Sequence, residues 1–209
     1  ILPLGVTPSE NQSQENIRAK YRIPENVPII LFMSRIDPKK GLDLLIPALE
    51  AIEAQGFNFH FILAGTNPQD PNYEAFIRTQ VENSSLHPHT TITGFVTGAS
   101  KSALLQASDI FVLPSYYENF GIAVAEAMVA GKPVVISDQV HIWHEIYNSQ
   151  SGWVSKTEIN SLIEAIIQAL QNPEERIKRG ANAKECALNS FSWDAIGHQM
   201  VKYYREIMA

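Results

Sequence analysis

Apolar residues fall along this chain in short unbroken runs, separated by stretches in which they recur every three or four positions. The runs at 29–33, 59–64, 91–93, 110–114 and 134–136, with a short one at Trp153 and Val154, predict strands. Helical spacing fills most of the gaps, notably 42–54, 73–82, 100–107 and 120–130. Unbroken strands are apolar on both faces, as strands are in a parallel sheet covered by helices on both sides. The chain therefore predicts an α/β fold: a Rossmann-like open parallel sheet with helices on both faces. After Thr157 the pattern is mainly helical, with Asn172-Pro173 and Ser192-Trp193-Asp194 marking breaks and starts. No internal repeat, low-complexity tract or sustained heptad pattern interrupts it.

Composition narrows the function classes. The 209 residues are 45% hydrophobic and 18% charged, enough for one globular core. A formal charge of −6 leaves no basic footprint for nucleic acid, although a local phosphate site needs only one or two cations. The single cysteine, Cys186, excludes an internal disulfide and a multi-cysteine metal site, fits a reducing cytosol, and reads as packing in a helix. No apolar run approaches membrane-spanning length and the N-terminus is not signal-like. The opening lacks methionine and is rich in Pro, Ser, Asn and Gln, so 1–28 reads as an interdomain connection leading into the domain, within a longer protein. The sheet domain then covers 29–190, and 191–209 forms a terminal helix.

The run at 120–130 carries the first chemistry. It is apolar or small everywhere except at Glu126, and a second carboxylate, Glu118, stands eight residues earlier. A carboxylate on a mostly dry helix is costly unless it is hydrogen-bonded or neutralised. The partner is either an internal cation or water, or it is a ligand that Glu118 addresses at another point.

Ligands of open parallel sheets bind beyond the carboxyl ends of the strands. Beyond the first strand lie Arg35, Lys39 and Lys40, then Gly41 at a predicted helix start. Cations at the positive end of a helix are unfavourable, and a bound phosphate removes the conflict; the alternative is solvated lysines and a surface ion pair. Beyond the fourth strand, Gly121 lets a ligand approach the backbone, and N–H groups near Phe120, Gly121 and Ile122 can receive the diphosphate that Arg35 and Lys40 neutralise. Glu126 then suits a ribose diol, since a carboxylate accepts two hydrogen bonds, and Glu118 is left for the group on the far side of the diphosphate.

The segments "SRIDPKKGLDLLIPAL", "GFVTGASKSALLQASDIFVLPSYYENFGIAVAEAMVAGKPVVIS" and "SGWV" resemble the C-terminal half of the retaining nucleotide-sugar glycosyltransferases of GT-B architecture, the glycogen-synthase and sucrose-synthase-like group. The resemblance runs from Leu4 to the C-terminus and rests on an Arg five residues before Lys-Gly together with Glu-x7-Glu. It implies transfer of a sugar, with retention of configuration, from a UDP-, GDP- or ADP-sugar to an acceptor: a sugar, a lipid-linked glycan or a small molecule. It gives Glu118 the donor sugar with Asn119 beside it, Glu126 the ribose, and Arg35 and Lys40 the diphosphate, making Glu118, Arg35 and Lys40 the catalytic set. The base is placed against Gly94, Phe95 and Val96. It further implies an acceptor-binding N-terminal domain toward which the terminal helix returns, no metal or other cofactor, and a cytoplasmic enzyme, peripheral to the inner face of a membrane in its full-length form.

The chain departs from the family at Ser34, where relatives often carry Gly, and at 140–142, where Val140, His141 and Ile142 replace a common Gly-Gly before Glu145. That change keeps open a nucleotide-binding module without turnover, beside a phosphorylase or epimerase on the same fold. His141 and His144 lack a third ligand at a metal-site spacing, which argues against zinc. Tyr116 and Tyr117 read equally as donor-pocket lining and as packing at a strand end.

Overall fold

A computed structural model describes residues 5–6 and 15–208. Among these, six strands form one parallel sheet: β1 (Ile29–Met33), β2 (His60–Ala64), β3 (Thr90–Gly94), β4 (Ile110–Leu113), β5 (Val134–Ser137) and β6 (Gly152–Ser155), in the order β3-β2-β1-β4-β5-β6. All of β1, β4 and β5 is buried, as strands covered on both faces must be.

The helices are α1 (Ile17–Tyr21), α2 (Leu42–Ala54), α3 (Pro71–Asn83), α4 (Gly98–Ala107), α5 (Ile122–Val129), α6 (Trp143–Asn148), α7 (Ile159–Gln171), α8 (Pro173–Ser190) and α9 (Trp193–Met208). Right-handed crossovers put α2 and α3 on one face of the sheet and α4 and α5 on the other. α7 packs against α2, and α8 against α5. In α7 the residues Leu162, Ala165, Ile166, Ala169 and Leu170 form one buried stripe at helical spacing.

Several boundaries differ from the sequence pattern, each for a local reason. The apolar run at 120–130 is not helical from its start: Gly121 adopts φ +82°, α5 begins at Ile122, and Phe120 turns into the core, edge-on to Phe191 at 5.3 Å. Asp70 caps α3 by accepting from Tyr73 N, with Pro71 in the first turn, so that helix starts earlier than its apolar spacing. Asn172 and Ser192 accept from Glu175 N and Ala195 N at the predicted starts of α8 and α9. Two short helices have no periodic signal. α1 lies inside the stretch read as a connection, where Asn16 caps it and Ile17 is buried; much of that stretch, 1–4 and 7–14, is outside the described residues, as is Ala209. α6 follows β5 and buries Ile146.

Candidate functional site

The strand order reverses between β1 and β4. From β1 the chain runs outward through β2 and β3, then crosses back to place β4 on the other side of β1. Beyond the carboxyl ends of these two strands opens the crevice in which such sheets bind ligands. Its walls are the segments 34–41 and 115–121.

The two walls are fastened together. Pro38–Lys40 form a single 3₁₀ turn, capped by Asp37, whose Oδ1 accepts from Lys39 N at 2.9 Å. Gly41 follows at φ +73°, and a Cβ there would lie 2.1 Å from the carbonyl oxygen of Pro114. Only glycine permits that approach, which brings Lys40 against the loop after β4. Tyr116 N donates to Lys39 O at 2.8 Å, and Tyr116 Oη donates to Asp43 Oδ2 at 2.8 Å. Burial, reinforced by Asp43, pushes the Tyr116 phenol up to about 12. Tyr116 thus reaches across to the first turn of α2, while Tyr117 Oη donates to Asn119 Oδ1.

Glu118 is held from a third side. Its N–H donates to Gln139 O at 3.2 Å and its carbonyl accepts from His141 N at 3.0 Å, a one-residue parallel bridge to Val140. A Cβ on Gly121 would lie 3.3 Å from Val140 Cγ1, so the loop turns into α5 tight against the same segment. The Gly-Gly replacement therefore lies beside Glu118, with Val140 and Ile142 buried and His141 exposed.

Both carboxylates are paired with lysine. Lys40 Nζ donates to Glu118 Oε2 in a half-buried ion pair. Lys101 Nζ, from α4, donates to Glu126 Oε1 at 2.6 Å. Glu126 is the fifth residue of α5 and its side chain is 25% exposed, so it stands at the edge of water and not in a dry interior. Of the two partners considered for it, the structure supplies the internal cation.

Arg35 projects from the other wall, 58% exposed, with Nη1 donating to Gln69 Oε1 at 3.2 Å and Nη2 3.7 Å from Asp37 Oδ2. At the start of α5, Gly121 provides no side-chain cap, and Ile122 is 49% exposed. An anion in the crevice would find Arg35, Lys40 and these main-chain donors around it.

Past the end of β3, Phe95 is 76% exposed and Val96 half-buried; with Thr97, Ser100, Lys20 and Tyr21 they line a cavity of about 250 Å³. A larger concavity, about 740 Å³, runs along α9 alone.

Lys40, Glu118, Asn119, Gly121 and Ile122 thus lie together at the switch point, with Arg35 on the same segment as Lys40 but turned to Asp37 and Gln69, and Phe120 able to contribute only its main chain because its ring is buried. Lys39 is exposed beside Lys40, whereas Lys40 is partnered by Glu118. Lys101 escaped the sequence reading. Its one trace there is that it is the only charge in the segment "GASKSALLQA". Among the described residues no group of three His, Cys, Asp or Glu side chains could hold a metal, and His144 stacks on Trp143 at 3.5 Å. Cys186 is a free thiol.

Three comparisons bear on this arrangement. The family described as "Glycosyl transferases group 1" matches residues 13–186. An uncharacterised glycosyltransferase of Methanocaldococcus jannaschii is 30% identical over 98% of this chain and 53% of its own length. The alpha-D-kanosaminyltransferase of Streptomyces kanamyceticus is 29% identical over 91% of this chain and 48% of its own. In solved form, sucrose-phosphate synthase from Thermosynechococcus elongatus superposes with a TM-score of 0.83 at 28% identity, covering 99% of this chain and 52% of that one. The chain thus spans about half the length of the relatives it matches.

Proposed function

The chain belongs to the group 1 glycosyl transferases, and from that membership we propose that it is the donor-binding half of an enzyme moving a sugar from a nucleoside diphosphate sugar to an acceptor. The observation that carries this reading is the pairing of Lys40 with Glu118 beside the uncapped start of α5, at the switch point whose first segment also carries Arg35. The diphosphate lies between Arg35, Lys40 and the α5 N–H groups. The ribose meets Glu126, the base lies toward Phe95 and Val96, and the sugar meets Glu118 and Asn119.

Catalysis on this reading is electrostatic. As the glycosidic bond breaks, negative charge grows on the departing diphosphate, and fixed cations and N–H dipoles stabilise it more than they stabilise the bound donor. Lys40 exchanges Glu118 for the diphosphate, and the released carboxylate accepts a hydrogen bond from a sugar hydroxyl. Glu118 orients the sugar and forms no covalent bond to it, and the anomeric configuration is retained. The acceptor binds in a further domain outside these residues, toward which 191–209 extends, and the enzyme works in the cytoplasm. No helix among the described residues is long and apolar enough to cross a membrane.

Titration of this chain with UDP, GDP and ADP tests the site. Arg35→Ala is expected to weaken the preferred diphosphate by about 1.5–3 kcal/mol, the scale of a charge-assisted hydrogen bond, and to leave the bare nucleoside nearly unchanged. Equal loss for both ligands assigns Arg35 to the fold or the base pocket instead. A nucleotide-binding module without turnover is distinguished by the full-length protein, which in that case binds the donor and neither transfers nor hydrolyses it.

A further inference from the structure

Glu126, assigned above to the ribose, is held by a second side chain. Lys101 stands in the second turn of α4, next to Ser100, which lines the cavity beside Phe95 and Val96. Its ammonium crosses to α5 and takes Glu126 Oε1 at 2.6 Å, both side chains being about one-quarter to one-third exposed. The pair therefore joins α4, one residue from a wall of the cavity assigned to the base, to the helix whose start is assigned to the diphosphate. One consequence follows from its geometry: one carboxylate oxygen is anchored, which restricts the rotation of the Glu126 side chain and leaves Oε2 for incoming hydroxyls.

Resting on the donor-site reading above, we propose that Lys101 is a positioning residue for ribose recognition: by holding Glu126 it makes the site select ribonucleotides over 2′-deoxyribonucleotides. An unanchored carboxylate rotates among rotamers and must be ordered at each binding event, at a cost that the ribose hydroxyls then have to offset. An anchored one is already ordered. The benefit appears only when hydroxyls are present to use it, so Lys101 acts on the ratio of ribo- to deoxyribonucleotide affinity and not on diphosphate binding in general.

The experiment measures dissociation constants of whichever of UDP, GDP and ADP binds this chain best, and of its 2′-deoxy counterpart, for wild type, Lys101→Met and Lys101→Arg. Wild type is expected to prefer the ribonucleotide about tenfold, the scale of one hydrogen bond to a charged group. Lys101→Met is expected to cut that preference to about twofold or less while binding the deoxynucleotide nearly as wild type does. Lys101→Arg, which keeps a donor to Glu126, is expected to restore most of the preference. A merely structural ion pair would shift the unfolding midpoint of Lys101→Met and leave the ratio unchanged. A preserved ratio, or parallel loss of both nucleotides, overturns the role of Lys101 alone. A wild type that binds a diphosphate without any ribose preference overturns the assignment of Glu126 as well, and one that binds none of the three overturns the donor-site reading itself.

Discussion

At the scale of single residues, the two glutamates should fail in different ways because their lysines have different tasks. Glu118→Gln removes the charge that holds Lys40 and leaves that ammonium to a diphosphate. The free nucleoside diphosphate is expected to bind as well as in wild type or a few-fold tighter, while the matching nucleotide sugar weakens by about 1–3 kcal/mol, since an amide accepts fewer and weaker hydrogen bonds. Glu126→Gln is expected to weaken both ligands, because both contain ribose. Calorimetry of each variant against each ligand checks this, and loss of the same ligands in the same proportion contradicts the division. Glu126 is legible in the sequence because a lone charge in an apolar run is conspicuous at short range, and Glu118 because it stands eight residues before it. Lys101 was not, because its partner lies 25 residues away and is brought to it only by the packing of α4 beside α5.

At the scale of elements, the edge of the sheet gives a prediction independent of any ligand. His60 opens β2, and its Nε2 is 2.8 Å from Thr91 Oγ1 on β3. Burial, with smaller contributions from His89 and Arg18, lowers its pKa from 6.5 to about 4. Between those values the unfolded chain takes up a proton that the folded chain does not, so this group costs stability as pH falls from 6.5 toward 4 and nothing above that window. Urea unfolding at pH 7 and pH 5 is expected to show an acid loss on the order of 1–2 kcal/mol, allowing for the ring's partial access to water, that His60→Gln lacks. Equal acid loss in both proteins contradicts it. The strands themselves were legible to within a residue or two, since runs such as "IILFM" are apolar on both faces for a simple reason. The start of α5 was not, because composition does not reveal that Phe120 is needed in the core against Phe191 and that Gly121 must turn the chain between them.

At the scale of the whole molecule, a chain that spans about half the length of its relatives should, on the donor-site reading, bind the donor without completing a transfer. The chain alone is expected to bind its nucleotide sugar and transfer no sugar, because orientation of both reactants supplies much of the acceleration. A radiolabelled donor incubated with this chain and with the full-length protein checks it; turnover by the chain alone contradicts the two-domain reading. α9 leaves apolar side chains uncovered. Ile196 is its buried residue near the start, while Tyr204, Ile207 and Met208 lie exposed farther along. The sheet order could be anticipated only in outline, since alternation of strands and helices fixes parallel pairing but not which strand lies beside β1. The crevice exists only because β4 takes that place.

The ion pair between Lys40 and Glu118 gives the crevice a form of discrimination that affinity for any one group would not provide. A cell is full of small anions, and a bare cluster of cations at a helix start would hold them continually. Here an ion that offers only charge must separate a lysine from a carboxylate and returns nothing to the carboxylate. On the donor-site reading, a nucleotide sugar presents oxyanions to the one and hydroxyls to the other in the same encounter. On that reading the crevice answers to a coincidence of two chemical signals, and inorganic phosphate carries only the first.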